Sequence, residues 1–285
     1  MRLREDGALS APPAWLDELR LDPGPPFQAM GTRALDAREW LVVDDAREQQ
    51  LRLKARLLTD VPDVVRASTP GAEDAEREVL ALVAEATGEV VPDVAAPLEA
   101  AARIVQEDLV ILQRLDGAWT VTAGVVCFPT HWTVADKIGR PLADVHSGVA
   151  HYERELRERV DRFHDRLAAD RPVWRRNWFV SPTDELHLPA YPPGMVLPDS
   201  IEPDGSPMWI RSERQTLRRL PRTDAIVFTI RVQLAPLGVL SARPDLAARM
   251  LAAVRSWDDV KRGYTSTGRV LLALEEWLAD LTGAA

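Results

Sequence analysis

The sequence predicts an α+β protein in which an antiparallel β-sheet carries helices on its faces. Two β-rich runs, EDLVILQRL and AWTVTAGVVCF, are separated only by Asp116 and Gly117, which is the two-residue signal for a tight hairpin. Three further β-rich runs follow, at residues 172–180, 208–220 and 225–235. Helical patterns precede, separate and follow these runs instead of alternating with each strand. This order favours an antiparallel sheet with helices segregated to its faces.

The N-terminal part of the chain divides at residue 35. Residues 1–34 contain two proline-rich stretches, which predict an extended lead-in lying on the surface. From Leu35 apolar residues recur at roughly helical spacing up to Asp60, and a second helix is predicted at about residues 72–86. We expect residues 35–285 to form a single domain, a sheet with helical additions.

The middle of the chain combines short helical patterns with loops. The segment TVADKIG predicts a short helix, and RPLADVHSGVAHY predicts a loop after it. Residues 152–168 predict a longer helix, because four apolar residues form one stripe on it: Leu156, Val160, Phe163 and Leu167. Residues 187–207 are rich in Pro and Gly and predict an irregular excursion, and two helices end the chain.

Composition excludes several classes of protein. The 285 residues carry a net charge of -9, whereas nucleic-acid binding depends on Lys and Arg that neutralise phosphates, so no nucleic-acid partner is expected. No apolar run approaches the roughly 20 residues that span a bilayer, and the N-terminus lacks the apolar core of a signal peptide. We therefore expect a cytoplasmic protein without a membrane partner. The single cysteine, Cys127, excludes an internal disulfide and a cysteine-only metal site.

The sequence also lacks the common catalytic signatures. It has no phosphate loop, no dinucleotide-binding glycine motif, no nucleophile elbow and no HExxH motif. No two of its five histidines have the spacing that puts a pair of metal ligands on one helix face. They lie at His131, His146, His151, His164 and His187, where each is equally explained as a loop, turn or helix-boundary residue.

The segment RSERQTLRRLP, at residues 211–221, is unusually polar for a strand next to the apolar run AIVFTIRV. Since side chains alternate between faces, Arg211, Glu213 and Gln215 point one way, and Arg214 lies on the other side. A charged strand of this kind either lines a polar cavity or an interface, or is an edge strand whose charges prevent aggregation. The pattern alone leaves both interpretations open.

Four motifs in this order give the chain a family resemblance. The stretches VVCFPTHW, KIGRPLADVH, PVWRRNW and SERQTLRRLPRTDAIVFTIR are similar to the α subunit of haem-dependent oxidative N-demethylase, and a looser similarity extends over roughly residues 30 to 280. The resemblance implies a Per-Arnt-Sim (PAS) type fold that binds haem b and acts as a monooxygenase on a small secondary amine, dimethylamine, with O2. It also implies an NADPH-linked reductase with flavin and iron-sulfur centres as electron donor, and a folate-binding subunit that accepts formaldehyde.

The resemblance suggests ligands and catalytic residues. The family loop I-H-x-x-V-P-x-Y corresponds to VHSGVAHY here, which makes His146 the expected axial ligand of the haem iron and His151 the second candidate. Tyr152 matches the tyrosine of that loop, and we assign it a catalytic role together with Glu213. Ala150 replaces the proline of the family loop. Cys127 matches the family's cysteine but is expected to be a small core residue and not a thiolate ligand.

The remaining assignments follow from the charge of the expected substrate and cofactor. A protonated amine beside the iron needs an anion and aromatic faces, which points to Glu213 with Trp174 or Trp178. Haem propionates would be bound by guanidinium groups, with Arg175, Arg176 and Arg214 as the candidates. These Trp and Arg side chains are equally explained as core packing and solvated charge.

A haem sensor of the PAS type, or a haem-free domain that binds a small ligand, is the rival interpretation. A sensor is normally fused to an output module or docks on one, and nearly all 285 residues follow the family pattern. We therefore favour the enzyme. The chain has no flavin or iron-sulfur motif, so its electrons would come from a partner.

Overall fold

The computed structural model describes residues 11–23, 31–91, 94–145, 157–259, 262 and 268–284. Its α-helices are α1 (Arg47–Asp60), α2 (Pro62–Val65), α3 (Glu73–Thr87), α4 (Pro97–Ile104), α5 (Leu142–Val145), α6 (Arg157–Arg166), α7 (Pro244–Arg255) and α8 (Gly268–Thr282). Its strands are β1 (Arg33–Ala34), β2 (Arg66–Ser68), β3 (Asp108–Leu115), β4 (Ala118–Val125), β5 (Val173–Ser181), β6 (Trp209–Arg219) and β7 (Ile226–Pro236). None of the helices in these ranges is long and apolar enough to cross a membrane.

The described strands form one sheet in the order β1-β5-β6-β7-β3-β4-β2, with every pair antiparallel. The α+β class and the antiparallel sheet predicted from the sequence are therefore confirmed. The predicted hairpin is β3-β4, in which Leu115 pairs with Ala118 across a two-residue turn. Asp116 and Gly117 in that turn have φ angles of 49° and 81°, as a type I′ turn requires.

The polar segment RSERQTLRRLP lies in the interior of the sheet. It forms most of β6, which pairs with β5 from Trp209 to Leu217 and with β7 from Trp209 to Arg219. The interpretation of this segment as a charged edge strand is therefore wrong. Arg211 and Arg214 lie on opposite faces of this strand and both are buried, so each of their charges needs a partner.

The register of the strands defines two faces of the sheet. On the first, which we call the Glu213 face, Arg175 pairs with Gln215, Gln215 with Ile230 and Ile230 with Asp108. On the second, the Arg214 face, the pairs are Arg176 with Arg214, and Arg214 with Arg231. Because successive residues of a strand point to opposite faces, these two sets of side chains are separated by the sheet itself.

Different parts of the chain cover the two faces. One end of the Glu213 face packs against residues 126–145 and α6 through an apolar cluster that includes Val134, Leu142 and Val160. The Arg214 face is covered by residues 11–23, by residues 35–46 with α1, α3 and α4, and by α7 and α8. The lead-in thus contributes buried side chains to the core, among them Leu16 and Leu21.

Several predicted element boundaries differ from the structure. The helix expected from Leu35 begins only at Arg47, after a short 3-10 helix at Ala37–Glu39. Helix α4 was not predicted, because Pro97 suggested a break in the chain. Proline is in fact well tolerated in the first turn of a helix, and Pro97 is the first residue of α4. The short helix predicted for TVADKIG is wrong, since residues 135–139 form turns, and α5 occurs in the segment predicted as a loop.

The turn that leads into β6 leaves no room for a side chain at Gly205. This residue has a φ of 88°, and a Cβ atom would lie 2.4 Å from the backbone nitrogen of Gly238. Gly71 has a similar φ of 91° but has open space around it. The two positions therefore share backbone strain on substitution and differ only in steric contact.

We expect Gly205→Ala to lower the free energy of unfolding by more than Gly71→Ala does. Positive φ should cost both variants about 1 to 3 kcal/mol, and overpacking should add about 1 to 3 kcal/mol at residue 205 alone. Urea denaturation of the two variants measures the difference. If both variants lose the same free energy of unfolding, the close contact between Gly205 and Gly238 does not restrict the residue at position 205.

Candidate functional site

A chain of hydrogen-bonded polar side chains crosses the Glu213 face. Glu213 accepts one hydrogen bond through each carboxylate oxygen, from Thr130 Oγ1 at 3.1 Å and from Gln215 Nε2 at 2.9 Å. Gln215 in turn accepts a hydrogen bond from Arg175 Nε at 2.7 Å. Gln215 is only 5% exposed, whereas Glu213 and Arg175 are half-buried. The two half-buried charged side chains are thus linked through a buried amide.

Arg211 secures the other end of this chain. Its fully buried guanidinium donates to Thr130 Oγ1 at 3.0 Å and to four backbone carbonyl oxygens. Those carbonyls belong to Phe128, Pro129, Glu185 and Leu186, at distances of 2.8 to 3.1 Å. One side chain therefore joins the CFPT turn to the segment after β5, and it places the Thr130 hydroxyl against Glu213.

Two arginines lie near Glu213, and Asp108 acts on one of them, Arg211, as a second acidic group. Loss of solvent lowers the pKa of both Arg175 and Arg211, and the negative charge of Glu213 acts in the opposite direction on each. Within the described residues, neither guanidinium forms a contact ion pair with Glu213, since the hydrogen bonds run through Gln215 and Thr130. Two positive charges accordingly flank one carboxylate without direct contact.

Apolar side chains surround this polar chain. The register places Phe228, Ile230 and Val232 of β7 on the Glu213 face, and Ile230 and Val232 are at most 6% exposed. Low polarity strengthens electrostatic interactions and raises the cost of leaving a charge without a partner. The half-buried Glu213 and Arg175 are therefore suited to a polar ligand.

Two of the three predicted propionate-binding arginines lie on the Arg214 face and are occupied by other parts of the chain. Arg176 forms an ion pair with Glu18 at 2.6 Å, donates to Ser212 Oγ and Gln233 Oε1, and lies over the ring of Trp15. Arg214 donates to the backbone carbonyls of residues 39 and 40. Of the three, only Arg175 shares a face with Glu213.

The two tryptophans predicted to surround the amine also lie on the Arg214 face. The Trp174 ring stacks with the guanidinium of Arg214 at 5.2 Å. Trp174 pairs with Thr216 in the register, so its side chain is on the other side of the sheet from Glu213. Trp178 donates through Nε1 to the carbonyl of Arg20 and packs 5.5 Å from the ring of Trp257. The predicted site residues therefore divide between two sides of the sheet and cannot all line one pocket.

The candidate axial ligands His146 and His151, and the candidate catalytic residue Tyr152, lie outside the described residues. Helix α5 ends at Val145, beside the apolar cluster of the Glu213 face. The described histidines have other contacts. His187 Nδ1 hydrogen-bonds to the Cys127 carbonyl, and the His131 ring packs 4.1 Å from that of Tyr191.

His164 is a core residue, although the sequence suggested a helix boundary. It is 5% exposed, its Nδ1 donates to the carbonyl of Val160 at 2.7 Å, and its ring lies against Trp119 and Phe163. Loss of solvent is the main reason that its pKa is lowered. These contacts favour a neutral, structural imidazole.

Cys127 has the environment of a core thiol. It is fully buried, and burial raises its pKa to about 12, with the charge of Asp108 as the second cause. These properties favour a small core residue, which is what the sequence predicts for Cys127.

The described residues on the Glu213 face provide two of the three things that a haem needs from a protein. Among the described residues, no group of three or more His, Cys, Asp and Glu side chains could hold a metal ion. A haem brings its own equatorial ligands and needs from the protein one axial ligand, apolar contact and cations for its propionates. The Glu213 face supplies the apolar contact and the half-buried Arg175.

The polar chain includes two residues that sequence reasoning did not single out, Thr130 and Gln215. Both lie in motifs that carry the family resemblance, but a strand pattern predicts only which face of the sheet a side chain is on. The pairing of β6 with β5 was needed to join Gln215 to Arg175, and the turn after β4 was needed to bring in Thr130.

One comparison with known proteins bears on this site. A family model described as "Haem-dependent oxidative N-demethylase, alpha subunit-like" matches residues 84–273. The match includes all four motifs that carried the resemblance, and it includes every residue of the polar chain on the Glu213 face. The recognition made from those motifs is confirmed.

The buried histidine predicts a pH dependence of stability. Because the pKa of His164 is lowered in the folded protein, the unfolded chain binds a proton more readily. Its contribution to stability is therefore present above the unfolded pKa of about 6.5 and is lost as the pH falls below that value. As the pH is lowered, we expect the free energy of unfolding of the wild type to fall more steeply than that of His164→Phe, by up to about 1.4 kcal/mol per pH unit.

Denaturant titrations of both proteins between pH 7.5 and 5, in steps of about half a unit, measure this difference. Identical pH dependence in the two proteins would show that His164 is protonated equally in the folded and unfolded states.

Proposed function

Because the chain belongs to the family of haem-dependent oxidative N-demethylase alpha-subunit-like proteins, we propose that it is an oxidoreductase that removes a methyl group from a small amine. The observation that carries the proposal is the carboxylate of Glu213, which Thr130 and Gln215 fix on a largely apolar sheet face. A substrate ammonium group needs such an anion for binding and orientation. We propose dimethylamine as the simplest substrate.

The proposed reaction is a monooxygenation. One oxygen atom of O2 is incorporated into the formaldehyde released from the methyl group, and the other is reduced to water. Two electrons and two protons are consumed, and the secondary amine becomes a primary amine. Haem b, when bound, would supply the oxygen chemistry, and His146 would hold its iron, with His151 as the alternative.

The chain's own residues would bind and orient the amine. Glu213 retains acceptor capacity, because each of its oxygens accepts only one hydrogen bond from the residues described. Gln215 and Thr130 limit the rotation of the carboxylate, so an N–H of the substrate would be held in one direction. We keep Tyr152 as a second catalytic candidate on the basis of the family loop. Arg175 would bind a carboxylate on the same face, from either the cofactor or the substrate.

The fold and the partners extend the same proposal. We propose a PAS-like arrangement for residues 35–285, supported by five long antiparallel strands with helices between the hairpin and the third of them.

The electrons would come from an NADPH-linked reductase with flavin and iron-sulfur centres, and a folate-binding subunit would accept formaldehyde. We propose a cytoplasmic location. A haem sensor with the same fold is the rival function.

Replacement of Glu213 by Gln tests the anchor for the amine. The amide keeps nearly the same shape without the charge, so the haem content should persist while the dissociation constant for dimethylammonium rises roughly 10- to 150-fold. The measurement is a titration of the ferric Soret band with dimethylammonium chloride at equal haem loading. Glu185→Gln is the matched control, because it removes an exposed negative charge from the segment that Arg211 contacts.

Equal dissociation constants in the wild type and Glu213→Gln would show that the amine does not bind to Glu213. A protein that binds haem and diatomic gases but no amine would instead support the sensor.

Replacement of His146 by Ala tests the cofactor ligand. We expect folded protein with little or no haem, because the only protein bond to the iron would be lost. Pyridine haemochrome absorbance gives the haem-to-protein ratio, and circular dichroism reports folding. Cys127→Ser is the control and should keep its haem with at most a modest loss of stability. Full haem loading in His146→Ala would contradict the assignment and favour His151.

A further inference from the structure

Two guanidinium groups and one carboxylate belong to the polar chain on the Glu213 face, and Asp108 is a further acidic residue that acts on Arg211. Glu213 is flanked by Arg175 and Arg211, both of which its charge influences. A bare ammonium ion placed against Glu213 would therefore also be repelled by two guanidinium groups in a site of low polarity. An ammonium ion that carried its own negative charge would avoid much of this cost.

The two arginines differ in the donors that they leave free. Arg211 uses all three of its guanidinium nitrogens in hydrogen bonds to Thr130 and backbone carbonyls. Arg175 donates only through Nε, to Gln215, and its two terminal nitrogens make no hydrogen bond to any described residue. A half-buried guanidinium with free donors is suited to a carboxylate.

Gln215 shows how a ligand could bridge these two groups. Its amide oxygen accepts from Arg175 at 2.7 Å, and its amide nitrogen donates to Glu213 at 2.9 Å. A zwitterion has the same polarity, since its carboxylate accepts from a guanidinium and its ammonium donates to a carboxylate. In an α-amino acid the two charged groups share one carbon and lie roughly 3 Å apart. That spacing is similar to the separation of the oxygen and nitrogen atoms of an amide group.

We propose that the substrate is an N-methylated α-amino acid, with its ammonium group on Glu213 and its carboxylate on Arg175. This inference rests on the proposed function and names the class of amine within it. It assigns to Arg175 a substrate carboxylate in place of a haem propionate. A zwitterion leaves the summed charge of Arg175, Arg211 and Glu213 unchanged, whereas a bare monocation would add one positive charge to it.

The test compares ligands that differ in the carboxylate. Isothermal titration calorimetry of the haem-loaded protein would use N,N-dimethylglycine, N,N-dimethylethanolamine, which replaces the carboxylate by a neutral hydroxyl group, and dimethylammonium. We expect the wild type to bind N,N-dimethylglycine at least about 10-fold more tightly than the other two, because only it makes a charge-assisted hydrogen bond to Arg175. This comparison needs no variant.

Arg175→Gln then identifies the group that recognises the carboxylate. We expect it to weaken the binding of N,N-dimethylglycine about 10-fold or more, to change that of N,N-dimethylethanolamine less than about 3-fold, and to leave the haem-to-protein ratio at the wild-type value. Arg33→Gln is the matched control, since it removes an exposed positive charge from the strand next to Arg175. It should alter none of these quantities.

The outcomes separate this inference from the proposed function. If the wild type binds dimethylammonium and N,N-dimethylethanolamine as tightly as N,N-dimethylglycine, the proposed function stands and the zwitterion does not. If Arg175→Gln loses haem, the carboxylate belongs to a propionate and the inference is wrong. If the wild type binds none of the three amines, both the proposed function and the inference fail.

Discussion

The pairing of β6 on both sides is the constraint on which the rest of the structure depends. This strand carries charged residues on both of its faces. Pairing with β5 and β7 places it inside the sheet, and the elements that cover the sheet bury Arg211 on one face and Arg214 on the other. A buried charge without a partner costs several kcal/mol, so every element that covers the sheet must bring groups that match these side chains. The sequence that surrounds the sheet can thus be understood as a set of partners for the charges of one strand and its neighbours.

On the Arg214 face the N-terminal part of the chain supplies those partners. Arg231 is fully buried and pairs with Asp44 at 2.6 Å. Burial alone would raise the pKa of Asp44, but the charge of Arg231 and the hydrogen bonds from Gln106 and Gln233 lower it. Arg176 finds Glu18 in the lead-in. The segments before the family match are therefore bound to the sheet by specific charges as well as by apolar packing.

The sequence predicts the sheet better than it predicts the site, for a physical reason. Strand runs and the Asp116-Gly117 turn are local signals, because alternation and turn conformation depend on neighbouring residues. The strand pattern also separated Glu213 from Arg214 correctly. It could not tell which of Arg175, Arg176 and Arg214 is free, because their partners lie far away along the chain, as Glu18 and the carbonyls of residues 39 and 40 do. Edge position is likewise a property of strand order, which no single strand reveals.

The contrast between the two faces points to where function lies. On the Arg214 face, Arg176 and Arg231 are neutralised by direct contact with carboxylates from the same chain, which is what a structural role requires. On the Glu213 face, opposite charges are held apart by a glutamine and a threonine, and Glu213 and Arg175 each keep one side accessible. Groups kept from pairing in this way are preorganised for a ligand, because binding then supplies the contacts that folding has left unmade.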